Sequence, residues 1–158
     1  MTGESGDDRG IWRGIPARAL ATRRARFLAE AARLFPWERW EARIVPHYPK
    51  RGRGRPPYPL RPLLRLYLLQ GWFRLSDRAA QEAATDSMAV REFLGLGLTW
   101  DQAAPDESTL LHFRRLMARH GLAAGIAADV AECLAVQGWK IRPGTIDDPA
   151  ITAGRRAA

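Results

Sequence analysis

Acidic residues are missing from one long stretch of this chain. Between Ala42 and Ser76 there is no Asp or Glu, while Arg43, Lys50, Arg51, Arg53, Arg55, Arg61, Arg65 and Arg74 all fall inside it. Positive charge without counter-charge stabilises no core, and its natural partner is a polyanion, a nucleic-acid backbone first of all. Cysteine is nearly absent too. The single Cys133 excludes an internal disulfide, and its place on the apolar stripe of a predicted helix reads as a buried reduced thiol rather than a nucleophile. No apolar run approaches the roughly 20 residues that span a bilayer. The opening MTGESGDDRG lacks the hydrophobic stretch of a signal peptide, so the expectation is a cytoplasmic protein with no membrane partner. His112 and His120 have no Cys, His or Asp neighbours spaced as metal ligands, and read as surface or capping residues.

What is present is a core. The chain of 158 residues is 46% hydrophobic with six Trp, enough for one domain with a small fragment attached. Its net charge of +8 is uneven. Residues 1–75 hold 16 basic and 6 acidic side chains, net +10, and residues 76–158 hold 9 and 11, net −2. An Arg-biased coding sequence explains Arg in place of Lys, but not the missing acids, so the binding surface is expected mostly in the first half.

Periodicity predicts a mainly α fold: a compact multi-helix domain with helix-turn-helix-like elements, then a short incipient strand. Residues 1–14 read as a disordered arm and 15–138 as the helical domain. Helices are expected over 17–34, stopped by Pro36, and over 37–44, with Trp37, Trp40 and Ile44 on one inward face. The next begins at Leu60, whose stripe continues through Leu63, Leu64, Tyr67, Leu68 and Trp72. Arg61 and Arg65 lie off that stripe and are expected to carry the loop's charge along the helix flank. Short helices over 78–84 and 88–94, capped by Ser76-Asp77 and Ser87, form a helix-turn-helix-like pair. Asp106 caps a helix to about His120 with Arg114, Arg115 and Arg119 on its outer side, and Gly121 ends it as a left-handed cap. A last helix spans about 123–137. From Trp139 the chain turns extended, ending on Asp147 and Asp148.

The pieces carry strings that occur together elsewhere. They are Leu34-Phe-Pro-Trp37, Ile44-Val-Pro-His-Tyr-Pro-Lys50, Gly54-Arg-Pro-Pro-Tyr-Pro-Leu60 and Leu75-Ser-Asp77, then Ala104-Pro-Asp-Glu-Ser-Thr-Leu110, His112-Phe-Arg114 and Gly144-Thr-Ile-Asp-Asp148. In this order, over about residues 26–152, the chain resembles the N-terminal half of transposases from small bacterial insertion sequences, the IS-five type of the DDE superfamily. The resemblance implies a helical region that binds double-stranded DNA at the element's terminal inverted repeats, followed by a ribonuclease-H-like catalytic domain that begins here at residue 139. It also implies magnesium for a full-length enzyme, since hard cations take carboxylate oxygens, and a possible homo-oligomer. The family's first catalytic carboxylate closes a Gly-Thr-apolar-x-Asp strand. Gly144, Thr145 and Ile146 match, and Asp148 stands at the catalytic and metal-binding position, while Asp147 and Pro149 depart from the pattern. No Asp or Glu follows Asp148, so the second Asp and the Glu are missing, and the chain alone is expected to need no cofactor and to lack a complete catalytic site.

Lys50, Arg51, Arg53, Arg55, Arg61, Arg65, Arg114 and Arg115 are the expected DNA contacts, with helix 107–119 or 88–94 approaching the major groove. Two other readings stay open. One is the first-frame product of a frameshifted, catalytically complete transposase. The other is an inactive remnant or helical oligomerisation module.

Overall fold

The structure, a computed structural model, describes residues 22–97, 101–142 and 150–153, with side chains described as far as Trp139. Helix α1 (Arg23–Leu34) starts where the Thr22 hydroxyl accepts from the Ala25 amide at 3.1 Å. It buries Phe27, Leu28 and Ala31 and gives way to Pro36. Helix α2 (Trp37–Ile44) buries Trp37, Trp40 and Ile44, the face expected from their spacing, and a single 3₁₀ turn, Val45–His47, closes it.

Helix α3 (Leu60–Phe73) is the centre. The sequence shows one apolar stripe, but the structure also encloses Leu66, Leu69 and Phe73. The reason is that α3 packs against α2, against α4 (Asp77–Asp86), against α5 (Met88–Leu94) and against α6 (Glu107–Arg119) at once. A helix covered on several sides is apolar nearly all round. Around it Phe27, Phe35, Trp37, Trp40, Trp72 and Phe93 form a continuous aromatic cluster, with ring centroids 5.1–6.1 Å apart and several edge-to-face pairs.

Side-chain caps set the later boundaries. The Ser76, Ser87 and Asp106 side chains accept from the amides of Ala79, Val90 and Thr109 at 3.1, 3.4 and 2.7 Å. Gly121, at φ 63°, makes the left-handed turn between α6 and α7 (Leu122–Val136) that its neighbour Leu122 suggests. The helical part of the expected architecture is therefore present. Its first stretch, 17–21, lies outside the described residues.

Strand β1 (Trp139–Arg142) pairs antiparallel with β2 (Ala150–Ala153), Trp139 opposite Ala153. The extended run expected from Trp139 is seen over β1, which takes its partner from the same chain and so satisfies one edge of its backbone; its remainder, 143–148, lies outside the described residues. Asp147 and Asp148 lie outside the described residues.

Candidate nucleic-acid interface

The basic segment between the 3₁₀ turn and α3 contains Pro49, Pro56, Pro57 and Pro59, which remove backbone donors and forbid a helix. It is nevertheless tied down. The Tyr48 hydroxyl donates to the carbonyl oxygen of Tyr58, linking the two ends of the loop. The Tyr58 hydroxyl donates to the Ala103 carbonyl at 2.7 Å, just ahead of α6. The Tyr48 ring meets Phe113 edge-on at 6.2 Å, and Tyr67 of α3 meets the same ring at 5.5 Å. Burial pushes both the Tyr48 and Tyr58 phenols up to about 12. One step earlier, His47 stacks on His120 with centroids 4.0 Å apart. Desolvation, then the charges of His47 and Arg119, hold the His120 imidazole below its ordinary value.

These contacts order themselves along α6. His47 sits at its C-terminal end, Tyr48 beside its middle, and Tyr58 before its first turn. Arg55 is near its N-cap, where the Thr109 amide, and after it the Arg55 and His112 charges, hold the Asp106 carboxyl below the usual carboxylate range. Residues 47–58 therefore run antiparallel alongside α6, and the loop and the helix form one surface.

Lys50, Arg51, Arg53 and Arg55 are all exposed on it. Lys50, Arg51 and Arg53 make no ion pair with an acid among the described residues. On α6, Arg115 is exposed and shares a face with Ser108, His112 and Arg119, also exposed.

Three of the expected DNA contacts are engaged elsewhere. Arg61 does not extend unpaired charge: its guanidinium bonds both carboxylate oxygens of Glu41 and reaches Glu38 Oε1 at 3.5 Å. Arg65 is turned inward. Its Nη1 donates to the Phe93 carbonyl at 2.5 Å, and its Cζ lies 4.8 Å from the Trp37 ring and 5.3 Å from Phe93. Burial lowers its pKa, and its Nε is a buried donor without a partner among the described residues. Arg114 grips Asp77 with two bonds, one of them Nη2 to Oδ2 at 2.9 Å, and Gln70 Nε2 donates to the same carboxylate at 2.7 Å. Arg43 also finds an acid, Asp129, at 2.9 Å. Acid-free in sequence is not acid-free in space, because α2 and α4 bring Glu38, Glu41 and Asp77 to these arginines and α7 brings Asp129.

The helix-turn-helix-like pair changes its meaning as well. Arg91 of α5 is 2% exposed. Its Nε donates to the Gly97 carbonyl, Nη1 to Ala84 and Nη2 to Gln102, at 3.0, 3.1 and 3.2 Å. Outside, α4 and α5 expose Glu82, Asp86 and Glu92 against one basic residue, Arg78, which pairs with Glu82 at 3.3 Å. A buried arginine and an acidic exterior do not suit a DNA groove, so of the two helices expected to approach one, α6 is the better placed. Sequence reasoning missed the Arg91 clasp, although Arg91 lies one turn before the inward Leu94. It missed the bridging role of Asp129 too, where Trp40 Nε1, Arg39 Nη2 and Arg43 Nη1 all converge on Oδ2 within 3.0 Å.

Cys133 is half-covered against the core, and burial raises its thiol pKa. Among the described residues no three His, Cys, Asp or Glu side chains gather as metal ligands, and Asp148 lies beyond them. No described helix is long and apolar enough to cross a membrane. Residues 16–116, more than half of the chain, match the family model described as Transposase domain (DUF772), a span that holds the basic loop and most of α6. No solved structure matches.

Proposed function

Because the chain belongs to the transposase-domain family, we propose that its helical domain is the DNA-binding part of an insertion-sequence transposase of the IS-five DDE type, gripping the element's terminal inverted repeats in the cytoplasm. One observation carries this reading. Lys50, Arg51 and Arg53 are held out, without acid partners among the described residues, on a loop stapled to the bundle. With its two ends tethered, the loop loses less backbone freedom on meeting phosphates than an unanchored arm would, and each contact releases condensed counterions. Arg115 supports them from α6. Arg61, Arg65 and Arg114 act instead by holding the frame.

A catalytic role would pass through Asp148 as one carboxylate ligand of magnesium. The described residues supply no companion ligands, so no step of strand cleavage or joining is assigned to them. A complete enzyme, with the remaining carboxylates encoded in a second reading frame, is the alternative that the Gly144-Thr-Ile pattern favours. The adjoining DNA sequence tests it directly.

The DNA-binding proposal is tested by gel-shift titrations of duplex DNA over a salt series. Replacing Lys50, Arg51 and Arg53 together by Ala should reduce the slope of log K against log salt by about 2–3, at roughly 0.9 per lost phosphate contact. Equal slopes and affinities for both proteins would remove the loop from DNA binding.

A further inference from the structure

We propose that the outer stripe of α6, made by Ser108, His112, Arg115 and Arg119, enters the major groove and reads base edges, while the loop beside it holds the phosphates of the groove wall. The inference rests on the DNA-binding reading above and adds which residues discriminate sequence.

The four positions are i, i+4, i+7 and i+11. At about 100° per residue they fall within a narrow arc of one helix face. All four are exposed, and none is acidic. Their chemistry is that of direct readout. Arginine bonds guanine O6 and N7 with two parallel donors, serine donates or accepts, and an imidazole does either according to its tautomer. Glu107 lies off the stripe, toward α4, where its amide donates to Gln81 Oε1 at 3.0 Å.

The opposite face makes the stripe rigid. Leu110, Phe113 and Met117 are buried, Arg114 is fixed on Asp77, and the Asp106 cap sets the first turn. A helix of 13 residues is about 20 Å long, and a major groove about 12 Å wide admits one helix. The loop is laid along this helix, from the His47–His120 stack to the Tyr58–Ala103 bond. It therefore widens the surface sideways, toward the phosphates that flank a filled groove.

Helices α5 and α7 are less suited. The α5 arginine is buried among carbonyls, leaving Met88 and Glu92 outside. The exposed positions of α7 include Ala124, Ala127, Ala128, Ala131 and Ala135, which carry no donors for base edges.

The test is selection of binding sites by the full chain from random-sequence duplexes, followed by affinity ratios for the selected and a scrambled site. The unaltered protein should enrich a motif. Arg115→Ala should lower the ratio about 10- to 100-fold, and Arg115→Lys should recover affinity for scrambled DNA without recovering the ratio, because an ammonium has no two-pronged donor. The loop variant lacking Lys50, Arg51 and Arg53 should keep the motif and lose affinity for both sites alike. Thermal melts of all variants should coincide, since every altered side chain is exposed. An unchanged ratio for Arg115→Ala overturns the inference. So does salt-dependent binding by the unaltered protein with no motif enriched, which leaves the DNA-binding reading standing. No duplex binding at low salt overturns both.

Discussion

Arg91 shows how one side chain can hold three pieces of backbone. Its guanidinium takes the last turn of α4, the loop after α5 and the stretch before α6 on separate donors. An arginine fork can do this, and a lysine ammonium cannot reach three carbonyls so placed. Arg91→Met should lower stability by about 3 kcal/mol, the cost of leaving buried carbonyls unpaired. Arg91→Lys should recover only part of that loss. Urea denaturation at neutral pH measures it, and an unchanged midpoint would show that water takes over the bonds. Arg43, Arg61, Arg65 and Arg114 make the same point more quietly. Each was legible in the sequence as a basic residue. None was legible as paired, because its partner comes from a different helix.

Among the elements, the loop and α6 work as a unit through two tyrosines. Their hydroxyls are the only part of the staple that a single-atom change can remove while leaving every charge in place. Tyr58→Phe loses the bond to Ala103 at a cost of about 1 kcal/mol. It should also weaken duplex binding several-fold with an unchanged salt slope, since the phosphate contacts survive and only their prior arrangement is lost. The same gel-shift series reads both quantities. A changed slope, or unchanged affinity, would separate the staple from binding. The existence of these helices follows from caps and periodicity that the chain displays openly, such as Ser76, Ser87, Asp106 and Gly121. What α4 and α5 present to solvent was hidden, because a helix-turn-helix spacing says nothing about which face is buried.

Across the bundle, two carboxylates, Asp77 and Asp129, join separate helices, and a third, Asp106, caps its own. Arg114 first, with help from Gln70, holds the Asp77 carboxyl low. Hydrogen bonds from Trp40 and then Arg39 do the same for Asp129, and the Thr109 amide for Asp106. Each folded pKa lies below the ordinary 3.8. Their contribution is therefore fully present above about pH 3.8 and is lost as pH falls through the depressed folded values. Tryptophan fluorescence should report a cooperative loss of structure on acidification below that point. Asp77→Asn should lower stability at pH 7 by about 1 kcal/mol, since the half-exposed Arg114 is screened by solvent. It should also flatten the acid limb, and an equally steep limb in the variant would exclude Asp77 from acid unfolding.

The residues alone specify the helices, the apolar faces that close on α3, and a loop too rich in proline to fold locally and too basic to be buried. Those properties depend on neighbours a few positions apart, which periodicity and caps record. The pairing of charges and the direction of each exposed face depend on which helices meet. Only the folded chain brings Glu41 to Arg61, Asp77 to Arg114 and the length of α6 to the basic loop, because these partners are 20 to more than 50 positions apart and nothing local encodes their approach.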